Sequence, residues 1–486
     1  MLRNSVFPGV RPGNALRRHR QIAAAARVKQ FVFSKSFILL IAAIAASANL
    51  LSLELAAYTV YIGFAVYIAV FGRDFLPLVP IVIFAYITPS ADSNPGRNET
   101  SVFYPANGGT YLICLLALFA GSVVIRLWMD PELGGKRFLR AKRKLLPGML
   151  ALGAAYMLSG IGSQGYSDNG AKNLIFGFIQ FLSVFLLYFL LTGGVKWEKV
   201  SRDYFAWTGV AVGLVLLTQI GGIYLNGNLF ADGSILRSRI FTGWGMYNNI
   251  GALLAMMVPF PFYLACRRQR GWRYVLLGSA FLLGVVLTCS RGSILGAGVA
   301  YCASFLIALR YGKNKRTNCA AFLGVCISVV ACLLAFHGEL GTIFRDMLSK
   351  RLNPQSRDLF FVEGIRQFLK YPVFGGSFYP IDFVPWDWSS LEAFSSVFPP
   401  RWHNTVIQLL AGCGIVGILA YGVHRFQTLK LFLKAPSLQK TFIGLSLLVL
   451  LGTSLLDCHF FNVGPTLFYS MALTFAEKGA GTEKIE

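Results

Sequence analysis

The stretch Arg401–Val423, RWHNTVIQLLAGCGIVGILAYGV, sets the class of this chain. It opens on a polar pair, His403-Asn404, and then runs for about twenty residues without a charge. At 1.5 Å per residue a helix of that length covers roughly 30 Å, the thickness of a bilayer core. The pair supplies a polar cap for such a helix. Gly414 and Gly417 behind the pair remove side-chain bulk, so another helix is expected to approach closely there. The imidazole of His403 falls where water meets lipid, and histidine exchanges protons near neutral pH. Taken alone, the stretch reads equally well as a capped helix start with a small-residue packing face.

Runs of the same kind recur along the 486 residues, of which 55% are hydrophobic and 14% charged. The sequence therefore predicts an all-α polytopic membrane protein with about fourteen transmembrane helices. Their expected limits are 36–52, 55–72, 75–89, 110–128, 146–162, 173–194, 205–225, 246–265, 274–290, 293–311, 318–336, 403–423, 441–459 and 462–476. The first two are expected to form a hairpin bent at Ser52-Leu53-Glu54. The ninth and tenth are joined only at Ser290-Arg291-Gly292.

A net charge of +24 raises nucleic acid as a partner, but its distribution argues otherwise. Basic residues cluster up to Lys35 and at Lys136–Lys144, Arg267–Arg273, Arg310–Arg316 and Arg425–Lys440. These loops alternate with less basic ones, and about 33 of the 45 Lys and Arg fall on one side, the positive-inside pattern. That side is assigned to the cytoplasm together with both termini. The charge is expected to meet anionic headgroups, with no nucleic-acid partner. The basic first thirty residues show no cleavage site after a short apolar core, so no removable signal peptide is expected.

The outer loops are expected at 90–109, 163–172, 226–245 and 337–402. Asn98-Glu99-Thr100 is a formal glycosylation triplet and carries little weight. The last loop is long and carries Arg345, Lys350, Arg351, Arg357, Arg366, Lys370 and Arg401, although basic residues are scarce outside. Within it, Ser356–Tyr371 predicts an amphipathic helix, with Ser356 as N-cap and Pro372 and Gly375-Gly376 ending it. The aromatics that follow, from Phe378 and Tyr379 through Trp386 and Trp388 to Trp402, fit an interfacial belt or a lid that stacks on sugar rings. The nine cysteines all lie in or beside apolar runs and read as small buried hydrophobes, without a disulfide framework or metal-ligand spacing.

Polar groups recur at membrane depth. Ser290-Arg291-Gly292-Ser293 places an arginine at a span junction, costly unless it faces water or an anion. Asn248-Asn249 opens the eighth span. Asp457, with His459, lies near the outer end of the thirteenth and needs a partner. In this topology Arg291, Arg357, His403 and Asp457 all fall at the outer leaflet. A guanidinium pair is suited to hold a diphosphate, and an imidazole beside it to take a proton from an attacking hydroxyl. Together they fit glycosyl transfer from a lipid diphosphate, with no metal or other cofactor required.

The chain resembles the bacterial O-antigen ligase and O-antigen polymerase superfamily. The resemblance rests on His403-Asn404 followed by nine residues and Gly414-x-x-Gly417. It is supported by Ser290-Arg291-Gly292, by Tyr247-Asn248-Asn249, and by Ser356-Arg357-Asp358-Leu359-Phe360 running on to Pro372-Val373-Phe374-Gly375-Gly376. It covers roughly residues 205–460. It implies a metal-independent, inverting transferase that moves a glycan from undecaprenyl diphosphate to a lipid A-core or a growing polysaccharide at the periplasmic face of the bacterial inner membrane. By resemblance Arg291 and Arg357 contact the diphosphate and His403 activates the acceptor. Asn404, Asp457, Asn249, Ser290, Gly414 and Gly417 support them, Asp457 matching only loosely. Members have about twelve spans, fewer than the fourteen expected here. The implied organisation is a basic cytoplasmic segment 1–35, amino-terminal membrane helices 36–204, a ligase-like region 205–476 including the periplasmic loop 337–402, and a cytoplasmic tail 477–486.

Two other classes compete. A lipid-linked oligosaccharide transporter or flippase needs cations along a path through the membrane and two similar halves. This chain gathers its candidates at one face, and its halves differ. A non-catalytic partner in polysaccharide assembly is the third reading, distinguished by tolerating loss of His403.

Overall fold

The computed structural model describes residues 30–72, 74–93, 101–129, 140–226, 229–231, 234–335, 338, 357–378 and 401–479. The helices in chain order are α1 (Lys35–Leu51), α2 (Glu54–Phe71), α3 (Leu78–Ile87), α4 (Gly109–Met129), α5 (Leu146–Met157), α6 (Gln164–Gly194), α7 (Tyr204–Asn226), α8 (Tyr247–Met257) and α9 (Pro259–Arg267). They continue as α10 (Trp272–Leu287), α11 (Arg291–Tyr311), α12 (Lys315–Ala335), α13 (Arg357–Lys370), α14 (Thr405–Leu433), α15 (Leu438–Ser454) and α16 (Val463–Lys478). Each of the fourteen apolar runs in the sequence is helical. Among the described residues, eight helical segments are long and apolar enough to cross a membrane: α2, α4, α6, α7, α8 with α9 (Tyr247–Arg267), α11, α12 and α14. The protein is a multi-pass helical membrane protein.

Local chemistry explains where these helices begin. Ser34, Ser163, Asn404 and Ser437 sit in extended backbone and accept a first-turn amide with their side-chain oxygens, each such cap being worth about 1 kcal/mol. The cap at Ser163 corrects one expectation. Residues 164–172, expected as a loop, form the first turns of α6, which bends at Asn169. The anticipated hairpin between α1 and α2 is present, turning at Ser52 with φ +53. The eighth span is interrupted where Pro259 starts α9, because proline cannot donate to the preceding turn.

The centre of the bundle is Tyr247–Arg267, almost wholly buried. Its Phe260 meets Phe205 and Phe468 edge-on, and Phe205 stacks on Phe468 and Phe475. At the outside, α12 buries only Asn318 and exposes Leu323, Ile327, Val330 and Leu334. Outward apolar faces suit a lipid solvent as apolar as the helix itself. For the same reason Cys114, Cys302, Cys319 and Cys332 are exposed rather than buried as expected, whereas Cys266, Cys289, Cys413 and Cys458 are inside.

Two sets of loops lie at opposite ends of the helices. At one end Asp203 pairs with Arg267 and Arg268, each at 2.6 Å. Glu477 there accepts from Tyr188 Oη at 2.6 Å and from the Lys144 amide at 3.1 Å. Lys440 is buried and donates to the carbonyls of Leu431, Lys434 and Ala435 at the end of α14, where a cation meets the helix dipole. Arg425, counted among the basic loop residues from sequence, is instead held inside the bundle over the rings of Tyr421, Phe460 and Tyr469. The opposite end of α11, roughly 30 Å away, carries Ser290 and Arg291, and beside it lie the start of α14 and the turn after α15.

Candidate active site

His403 stands just before α14 with φ +50, a left-handed conformation uncommon for a residue with a side chain. Asn404 caps α14, its Oδ1 accepting from the amides of Val406 at 2.8 Å and Ile407 at 3.2 Å. Its Nδ2 donates to the Leu455 carbonyl at 2.9 Å, which ties the start of α14 to the turn after α15. That turn holds Asp457. The helix expected to reach residue 459 ends at Ser454, so Asp457 sits in the connection rather than within a span.

His403 Nδ1 lies 3.4 Å from Asp457 Oδ1, loose for a hydrogen bond, as catalytic contacts often are without substrate. A proton on Nδ1 facing the carboxylate leaves the Nε2 lone pair free to accept another. The remaining groups on Asp457 are Asn248 Nδ2, donating to Oδ2 at 3.0 Å, and the Cys458 amide, donating to Oδ1 at 2.7 Å. Burial pushes the Asp457 carboxyl up, but the imidazoles of His403 and His459 and the Cys458 amide outweigh it and hold the group well below the usual carboxylate range.

A cavity of about 130 Å³ opens beside this pair. Its walls are Arg237, Tyr247, Asn248, Thr453, Leu456, Asp457, His459 and the first turn of α11, Ser290 to Ser293. Ser290 Oγ is spent on Ser293 Oγ at 2.8 Å and makes no cap bond. The uncapped first turn of a 21-residue helix thus lines the cavity together with Arg291, an arrangement that favours anions. Asn249 is adjacent, its Oδ1 accepting from Asn462 Nδ2 at 2.6 Å. Asn462 also takes a hydrogen bond from Arg401.

Helix α13 reaches the site from the long loop. Phe360 meets the His403 ring edge-on, centroids 5.4 Å apart. The backbone of Arg357 begins α13 three residues earlier; its side chain, like Ser356, lies outside the described residues. So do Asn98-Glu99-Thr100 and the aromatics from Tyr379 to Phe398. Of that expected belt, Phe378 and Trp402 are described, and both are buried. Phe378 packs on Tyr156, Phe176 and Phe461, and Gly364 of α13 sits against Trp402.

The glycines act differently from expectation. Gly414 interrupts α14 at φ +61, ψ −156, a region open essentially to glycine alone. What lies against it is extended chain rather than another helix. A Cβ there would stand 2.4 Å from the Val373 carbonyl oxygen and 2.6 Å from the Gly375 amide nitrogen. The Ile415 and Val416 amides freed by the break donate to the carbonyls of Pro372 at 2.9 Å and Val373 at 3.2 Å, and Gly376 N donates to Ala411 O at 2.7 Å. Irregular backbone inside a membrane protein needs such internal partners. Gly417 lies against Cys413 of its own helix.

Residues 279–422 match the O-antigen ligase family. The match supports membership of the O-antigen ligase superfamily. The family implies membrane glycosyl transfer of the O-antigen ligase type in polysaccharide assembly. Curated proteins gave no match to the chain. The O-antigen ligase segment contains Ser290, Arg291, Arg357, His403, Asn404, Gly414 and Gly417. The fold adds Asn248, Asn249 and Asp457 to them from outside it, and also Arg237, which sequence analysis missed. Its signal was the Arg237-Ser238-Arg239 pair in an outer loop, where basic residues are scarce.

Proposed function

We propose that this protein transfers a glycan from undecaprenyl diphosphate to a lipid A-core or growing polysaccharide acceptor, at the periplasmic face of the bacterial inner membrane. His403 Nε2 takes the proton of the acceptor hydroxyl as its oxygen attacks the anomeric carbon from the face opposite the diphosphate. The bond from that carbon to the diphosphate oxygen breaks, and its electron pair leaves with the undecaprenyl diphosphate. The anomeric configuration inverts. Asp457 orients the imidazole and meets the imidazolium that forms. Arg291, the first turn of α11 and Arg357 meet the charge that grows on the leaving diphosphate, so the reaction runs without a metal. The amino-terminal helices complete fourteen crossings, with 337–402 outside.

The observation that carries this reading is the His403–Asp457 contact at the edge of a cavity lined by Arg291 and a helix N-terminus. The test is transfer by purified protein in EDTA with a defined undecaprenyl-diphosphate-linked donor, followed by determination of the new linkage. An inverted glycosidic bond and released undecaprenyl diphosphate are expected. No transfer to either acceptor class, or transfer abolished by EDTA and restored by a divalent metal, would refute it.

A further inference from the structure

The cavity beside His403 holds a second arginine, contributed from a part of the chain that precedes the O-antigen ligase segment. Arg237 lines the same walls as Arg291 and Asp457. It begins a short 3-10 turn, Arg237–Arg239, between two small antiparallel hairpins. Its guanidinium lies 5.5 Å from the centroid of the Tyr247 ring, and the neighbouring Asn248 is already committed to Asp457.

The loop carrying Arg237 is pinned at both sides. Before it, the Leu236 amide donates to Leu229 O at 2.8 Å. After it, the Gly243 amide donates to Pro89 O at 3.1 Å, and Trp244 Nε1 donates to Gln219 Oε1 at 3.3 Å. Asn49 of α1 in turn holds the carbonyls of Thr88 and Pro89. The amino-terminal helices thus fix the position of the loop. A site that places a cation for substrate needs this kind of support.

We infer that Arg237 is a donor-binding residue, gripping the diphosphate of the lipid-linked glycan together with Arg291. This rests on the function proposed above. A diphosphate presents oxygens on two phosphorus atoms, and two guanidinium forks lining one cavity match them better than one. Asp457 lies in the same walls, but its charge is directed to His403 and Asn248. The fixed cations there outnumber the anion.

The test uses the full-length protein in phosphatidylethanolamine nanodiscs, with binding of radiolabelled undecaprenyl diphosphate measured separately from transfer. Arg237→Ala should weaken binding roughly ten- to hundredfold, the worth of charge-assisted hydrogen bonds, and raise the donor KM while leaving the acceptor KM unchanged. Arg237→Lys should recover only part of the affinity, for want of the fork. Arg239→Ala, exposed and two residues away, should bind as wild type and controls for net charge. If Arg237→Ala lowers the melting temperature, the folded Arg237→Lys variant decides. Wild-type affinity in whichever variant decides, with wild-type protein binding the probe, overturns the role of Arg237 and leaves the proposed function standing. Failure of wild-type protein to bind the probe overturns both.

Discussion

His403 is held in place by three neighbours: Asp457 on Nδ1, Phe360 against the ring, and Asn404 fixing the helix start behind it. Glutamine at 403 keeps polarity but cannot accept the proton, so His403→Gln should cost about 10²–10⁴ in transfer rate while donor binding persists. A rate close to wild type would return His403 to the role of a cap or an acceptor-orienting donor. The wild-type rate should fall on acidification, because a protonated imidazole cannot act as a base. Arg291→Lys and Arg357→Lys should each lower turnover tenfold or more, on the order of one lost bidentate contact, without impairing insertion. Normal turnover in either would remove that arginine from the diphosphate clamp. Asp457 carries a pH prediction of its own. Its carboxyl is held below its usual range, so its stabilisation is present above the unfolded value, about 4, and is lost as pH falls through the folded one. Asp457→Asn should therefore melt below wild type at neutral pH, with the gap closing in acid. A constant gap would mean that the ionised form is not what stabilises the turn.

At the scale of elements, the site depends on the break in α14. The segment Pro372–Gly376 completes the hydrogen bonding of that break and leads on to Phe378, buried on Tyr156 and Phe461. The segment is thereby anchored next to α13, and α13 carries Phe360 to His403. Gly414→Ala would place a methyl group against the Val373 carbonyl in a backbone region worth about 1–3 kcal/mol of strain. It should lower the melting temperature and reduce transfer together, since the same contact sets both. Gly422→Ala lies in the same helix with nothing within 4 Å of the new methyl. It should be neutral or stabilising by up to about 1 kcal/mol. Equal effects of the two substitutions would refute the break as the organising feature.

At the scale of the molecule, the proposal requires the cavity to face away from the basic loops. In a background with the native cysteines removed, a single cysteine at Leu369 should react with an impermeant thiol reagent on intact cells. One at Arg140 should react only after lysis. Both residues are exposed. The reverse pattern would sink the site model, because the donor glycan would then be out of reach.

The sequence alone determined the helical membrane class and the positions of all fourteen apolar runs, and it singled out His403, Asn404 and Arg291 as candidates. These rest on local quantities: hydropathy over about twenty residues, helix-cap chemistry, and a polar group whose cost at membrane depth demands a use. Residues 164–172 escaped because their polar composition hides a helix start that depends on the single cap at Ser163. The tertiary structure alone decided that Asp457 faces His403, that Arg237 lines one cavity with Arg291, and that extended chain rather than a helix fills the break at Gly414. Those pairings join positions 41 to 54 residues apart, through helix ends that meet only when the bundle packs. No local pattern encodes such a distance, because it is set by which backbone and side-chain groups must find partners once water is excluded.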